Sequence, residues 1–144
     1  MAAKYREGRL TLVAARLADT AATPIKNYCS ALNAFDVQGA LAAAVSIAAD
    51  ANGLVEASAP WKLAKNPEQA DKLDAVLYSL SETLRIIAIL ISPVLPKAAA
   101  AIFLQLNWDG PMTLAEATWG KLPDGHILGT PVPIFPRILP PLGA

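Results

Sequence analysis

Residues 37–55 carry the pattern that most limits what this chain can become. Val37, Leu41, Ala44, Ala48, Ala51 and Val55 recur at steps of 4, 3, 4, 3 and 4. That spacing lines one side of an α-helix of about five or six turns, and it fits no strand, whose side chains alternate with period two. Asp36 stands where an N-cap is needed. Pro60 biases Ala59 away from helical angles, so the helix is expected to end near Ser58.

Other segments read the same way. Leu10, Val13 and Leu17 fall on one face of a first helical segment. Thr23-Pro24 interrupts it, with Pro24 opening a new helix that brings Ile25, Tyr28, Leu32 and Phe35 to one side. Asn66-Pro67-Glu68-Gln69 reads as a further helix start, with a cap, a proline at the first position and a glutamine at the third. That helix carries Leu73, Val76, Leu77, Leu80, Leu84, Ile87, Ala88 and Ile91 on a broad stripe. Glu82 and Arg85 are expected on its outer side, three apart and weakly paired. Ser92-Pro93 stops it, and Pro96 opens a helix with Ala99, Ile102, Phe103 and Leu106 inward. A turn follows at Trp108-Asp109-Gly110-Pro111, then a short capping box at Thr113 and Glu116.

From Gly120 the character changes, with six prolines and four glycines in the last 25 residues. An extended tail is predicted to fold back over the bundle and to bury Ile127, Leu128, Ile134, Phe135 and Ile138. The expected fold is all-α: an antiparallel bundle of about five helices, in one domain over residues 1–144, with a helical core at about 10–119 and a tail at about 120–144.

The chain is 54% apolar, much of it alanine, and its 12 basic and 12 acidic residues cancel. Zero net charge argues against a broad grip on phosphate backbone but not against reading a few exposed bases. The greasiest run, Ile86 to Val94, is shorter than the roughly 20 residues a membrane helix needs. No signal-peptide pattern opens the sequence. Cys29 is the only cysteine and His126 the only histidine. Neither a disulfide nor a cysteine metal cluster can be built, and both residues read as packing groups. No phosphate loop, HExxH or CxxC spacing occurs, and no carboxylate pair stands out as an acid–base couple. On these residues the chain is a binding module, with no catalytic or metal-ligating set.

One stretch is more specific. Ala51-Asn52, followed by Ala59-Pro60-Trp61-Lys62-Leu63-Ala64-Lys65, resembles the methionyl-tRNA synthetase family. Residues 76–85, residues 90–97 with Ile102-Phe103, and the closing segment from Gly125-His126 to Ile138 resemble the same family in the same order. The resemblance covers roughly residues 25 to 138. It implies a helical anticodon-binding domain that recognises the CAU anticodon loop of methionine tRNA. It places the base-stacking tryptophan at Trp61, supported by Pro60. Aromatic faces suit this role because single-stranded anticodon bases can splay out and stack on them. Lys62 and Lys65 flank Trp61 and are candidates for phosphate contact. Asn52 either presents its amide to a base edge or ties helices together. Trp108 and Trp119 lie beside turns and are expected to pack the tail.

The family's first anticodon-domain helix carries an Asn and an Arg four apart. Arg16 stands in the Arg place here, but position 12 is Leu12. Either a helix lies upstream or this region has diverged. No adenylate-forming signature occurs, so the resemblance implies a piece without cofactor of its own. ATP would belong to the catalytic domain of a parent methionine–tRNA ligase, which would also be this domain's partner in the same cytoplasmic enzyme. The competing readings are the related domain of another class I synthetase (isoleucine, valine, leucine or cysteine) and a helical protein–protein module.

Overall fold

The computed structural model describes residues 1–12 and 17–136. Its elements are α1 (Ala2–Tyr5), α2 (Ala18–Asn33), α3 (Val37–Ser58), α4 (Pro60–Leu63), α5 (Ala70–Ile91) and α6 (Pro96–Leu106), with 3-10 turns at Pro67–Gln69 and Leu114–Glu116. Four of these helices are long, α1 and α4 are single turns, and no strand occurs among the described residues. The all-α expectation holds.

The predicted caps explain several boundaries. The Asp36 carboxylate accepts from the Gly39 N–H at 2.8 Å and starts α3. Asn66 accepts from the Glu68 N–H at 3.0 Å, and Pro67 follows it into the turn that feeds α5. Pro96 opens α6 as predicted. Thr113 does precede a short turn, but its side chain makes no cap hydrogen bond, and one 3-10 turn is all that forms.

The predicted break at Pro24 is absent. α2 begins at Ala18 and runs through the proline. An interior proline costs a helix about 3 kcal/mol, and the burial of Leu17, Ala21 and Tyr28 on the packed side of α2 opposes that cost. Phe35 is not inward either. The helix stops at Asn33, Phe35 takes a left-handed φ of 58°, and its ring is 94% exposed. Along α3 the buried line is Ala40, Ala44 and Ile47, with Val37 exposed. The buried face is rotated about one residue from the expected stripe, and Ala40, Ala44 and Ile47 join residues of α2 and α5 in the main core.

α5 is the central helix and is buried on nearly every side. Of its apolar residues only Leu84 projects clearly into solvent, the reverse of its predicted placement. Glu82 and Arg85, expected on the outside, are fully buried. The Arg85 Nε and Nη2 donate to Glu82 Oε2 at 3.0 and 2.7 Å, and Nη1 donates to the Glu116 carbonyl at 2.7 Å. Nη2 also donates to the Thr118 carbonyl, and the other Glu82 oxygen accepts the Leu122 N–H. Beside them the Tyr78 hydroxyl donates to the Leu122 carbonyl at 2.8 Å. Burial, then the nearby Glu82 carboxylate, push the Tyr78 phenol up to about 12, against the opposing effect of Arg85.

This network holds the downstream segment against α5. Leu122, which the pattern reading did not single out, is the tail's buried apolar anchor. Further on, the Leu10 N–H donates to the His126 carbonyl at 2.7 Å, and the Gly129 N–H donates to the Gln105 carbonyl at 2.9 Å. The tail thus crosses the first residues and the end of α6. Gly129 has to be glycine, since a Cβ there would lie 2.7 Å from the Leu104 carbonyl oxygen. Leu128 and Ile134 are half-buried, but Ile127 and Phe135 are exposed, contrary to expectation. The tail is fixed by backbone hydrogen bonds more than by those side chains. Ile138 lies outside the described residues.

By length and composition alone, the stretch Val37–Leu63 is apolar enough to cross a membrane. Its helix packs against α2 and α5, and the left-handed residue Ala59 breaks it.

Candidate nucleic-acid interface

The site begins where α3 ends. Ala59 closes the helix in a left-handed conformation (φ 43°, ψ 63°), its N–H reaching the Val55 carbonyl at 3.0 Å. Pro60 follows, fully buried, as the first residue of α4. The sharp turn and the anchored ring leave Trp61 little freedom, and its side chain is 47% exposed. Lys62 and Lys65 are exposed on the same short element, and no ion pair engages either among the described residues. Trp61 is therefore not a core residue and presents about half of its side chain at the surface.

Asn52 is exposed on α3, two turns before Ala59, and no hydrogen bond holds its amide among the described residues. It does not tie helices together. Residues 52 and 56 are four apart and share a face of α3, so Glu56 lies between Asn52 and the turn. Arg16 lies outside the described residues.

The charge around the turn is mixed. Lys72 is exposed on the first turn of α5, among Glu68 and Asp71. Arg6 sits across from it, its Nε donating to Asp74 at 2.5 Å and its Nη2 to the Ala70 carbonyl at 3.3 Å. Neither Arg6 nor Lys72 stood out in sequence as a neighbour of this turn. Arg6 lies some sixty residues upstream, and only the fold brings it beside the loop.

The other candidates sort as packing groups. Trp108 and Trp119 are partly buried, each with its Nε1 buried and unpartnered. The Arg85 guanidinium lies 5.6 Å from the Trp108 ring centre. Gly110 lets that ring lie against the backbone, because a Cβ there would meet it at 2.5 Å. His126 Nε2 is 2.7 Å from the Leu106 carbonyl, and Cys29 packs against the main core as a free thiol. No cluster of three or more His, Cys, Asp or Glu that could hold a metal occurs among the described residues.

Residues 6–140 match the family described as the anticodon binding domain of methionyl tRNA ligase. The chain belongs to that family. Methionine–tRNA ligase of Lactiplantibacillus plantarum is 37% identical over 146 residues, covering 94% of this chain and 21% of the relative. The Enterococcus faecalis enzyme is 33% identical over 144 residues, covering 94% of the chain and 22% of the relative. The chain thus spans about a fifth of these relatives. The solved apo structure of Mycobacterium tuberculosis methionyl-tRNA synthetase superposes with a TM-score of 0.75 at 31% identity, covering 98% of this chain and 30% of that one. The same enzyme in complex with methionyl-adenylate gives 0.76 at 28% identity, covering 95% and 28%. Among the readings open from sequence, the methionyl family stands in place of another class I synthetase.

Proposed function

We propose that residues 1–144 serve as the tRNA anticodon-binding domain of a methionyl-tRNA synthetase and read the CAU anticodon of methionine tRNA. The observation that carries this reading is the half-exposed Trp61 ring, fixed by a buried proline at a helix break. A splayed base finds there a flat face that needs no rearrangement, and base–aromatic stacking is worth about 1–3 kcal/mol. Asn52 has a free amide for a base edge, and Lys62 and Lys65 supply cations for phosphates on either side. The mixed charge supports reading a few bases at a fixed point over gripping a long backbone.

Methionine activation with ATP belongs, in this reading, to a catalytic domain of the same cytoplasmic synthetase, which is the domain's protein partner. The Mycobacterium tuberculosis synthetase, of which this chain covers 28%, binds methionyl-adenylate, in keeping with that division.

The test is a titration of the chain with a methionine-tRNA anticodon stem-loop and with a stem-loop of scrambled anticodon. Tighter binding of the CAU loop is expected. Equal affinity for both would overturn the specificity, and no binding of either would overturn the RNA reading.

A further inference from the structure

A hollow of about 260 Å³ lies beside α4, lined by Arg6, Leu63, Ala64, Lys65, Asn66 and Pro67 among others. It is separate from the Trp61 face but adjoins it. Residues 61, 64 and 65 are three and four apart on a helical turn, so Ala64 and Lys65 lie one turn, ~5 Å, along from Trp61. We propose that this hollow is a second base subsite, which takes the nucleotide next to the one stacked on Trp61. The proposal rests on the RNA reading given above.

The hollow combines what such a subsite requires. Its walls at Leu63, Ala64 and Pro67 are apolar and can receive a ring. Its polar side chains are donors. Asp74 and the Ala70 carbonyl fix the Arg6 guanidinium through Nε and Nη2, leaving Nη1 with only a long 3.4 Å contact to the Tyr5 carbonyl. The Asn66 oxygen already accepts the Glu68 N–H, and its NH2 group is the Asn66 donor that remains. The Lys65 ammonium is exposed and has no ion pair among the described residues. A rim rich in side-chain donors favours a base edge with acceptors, the carbonyls of uracil or the O6/N7 edge of guanine, over one that presents an amino group there. The Arg6–Asp74 pair orients the guanidinium before RNA arrives, so little side-chain freedom is lost on binding.

The experiment crosses protein variants with RNA variants. Anticodon stem-loops with each loop base in turn replaced by an abasic unit are titrated against the wild-type chain, Trp61→Ala, Ala64→Leu and Arg6→Lys. Ala64→Leu fills the hollow and leaves Arg6 and Asp74 in place. Arg6→Lys keeps the charge and removes the fork. Helical content and melting temperature of each variant are measured alongside. In wild type, abasic replacement at two adjacent positions is expected to cost about fivefold or more each. Trp61→Ala should erase the sensitivity at one position. Ala64→Leu and Arg6→Lys should erase it at the neighbour and leave the first intact. Folded Ala64→Leu and Arg6→Lys proteins that keep the wild-type abasic profile would overturn the subsite while the stacking reading stands. A Trp61→Ala protein that binds every stem-loop like wild type would overturn the stacking reading, and the subsite with it.

Discussion

Pro60 has no backbone N–H and buries its ring, while its neighbour Trp61 leaves half of a much larger ring in water. In the proposed reading the proline anchors and the tryptophan presents. Trp61→Ala should therefore weaken stem-loop binding by roughly fivefold to over a hundredfold. Its melting temperature should stay close to wild type, whereas truncating a core tryptophan costs about 3–5 kcal/mol. Paired titration and thermal melts measure both quantities, and a collapsed melting temperature would return Trp61 to the core. Tyr78 is the opposite case, a phenol sealed inside. Its pKa rises from 10.0 unfolded to about 12 folded. The folded state thus holds its proton more tightly, and that stabilisation is complete below pH 10 and is lost as pH climbs from 10 towards 12. Urea unfolding across that range should show falling stability, and Tyr78→Phe should flatten much of the slope. Tyr28, also raised by burial, accounts for a remainder.

At the level of elements, α5 departs most from its apparent pattern. Glu82 and Arg85 look in sequence like a solvated i,i+3 pair, because nothing local reveals that residues 116–122 cover them. Charged residues are almost never fully buried unless paired, and the partners here lie some thirty to forty positions away. Arg85→Met should cost about 3–5 kcal/mol by leaving Glu82 charged and unpaired. Adding Glu82→Met should recover little, because the carbonyls of Glu116 and Thr118 and the Leu122 N–H would then be orphaned in the interior. Urea melts of the single and double variants test this, and full recovery in the double would reduce the clamp to a simple ion pair. Leu122→Ala removes the tail residue buried beside that clamp and should cost about 2–5 kcal/mol. The helix starts at Asp36, Asn66 and Pro96 were legible because capping is local. The continuity of α2 through Pro24 and the outward turn of Phe35 were not. The first depends on tertiary burial, and the second on a single left-handed residue.

For the whole molecule, the bundle and the Pro-Trp-Lys loop were readable from periodicity and motif, while the surroundings of that loop were not. Arg6 joins it only when the chain closes on itself, so a linear reading could not include it. With Lys62 and Lys65 as the phosphate contacts, log affinity for a stem-loop should fall with log salt at a slope near −1.4, from about −0.7 per contact. A slope several times steeper would mean a wider basic surface than the one described. The chain alone is also expected to show no methionine-dependent ATP–pyrophosphate exchange, and detectable exchange by pure protein would contradict the assignment of that chemistry to another domain.

The Glu82–Arg85 clamp also bears on how the protein is born. Translation delivers α5 well before residues 116–122, and until those residues leave the ribosome the guanidinium and carboxylate have each other but not the backbone groups that complete their shell. A nascent chain that stops at the end of α6 thus has to bury under-solvated charge or leave its central helix partly open. Cooperative closure is postponed to the emergence of a short, nearly structureless stretch. Among the described residues, α6 is the last α-helix, and it does not finish this bundle; the loop after it does.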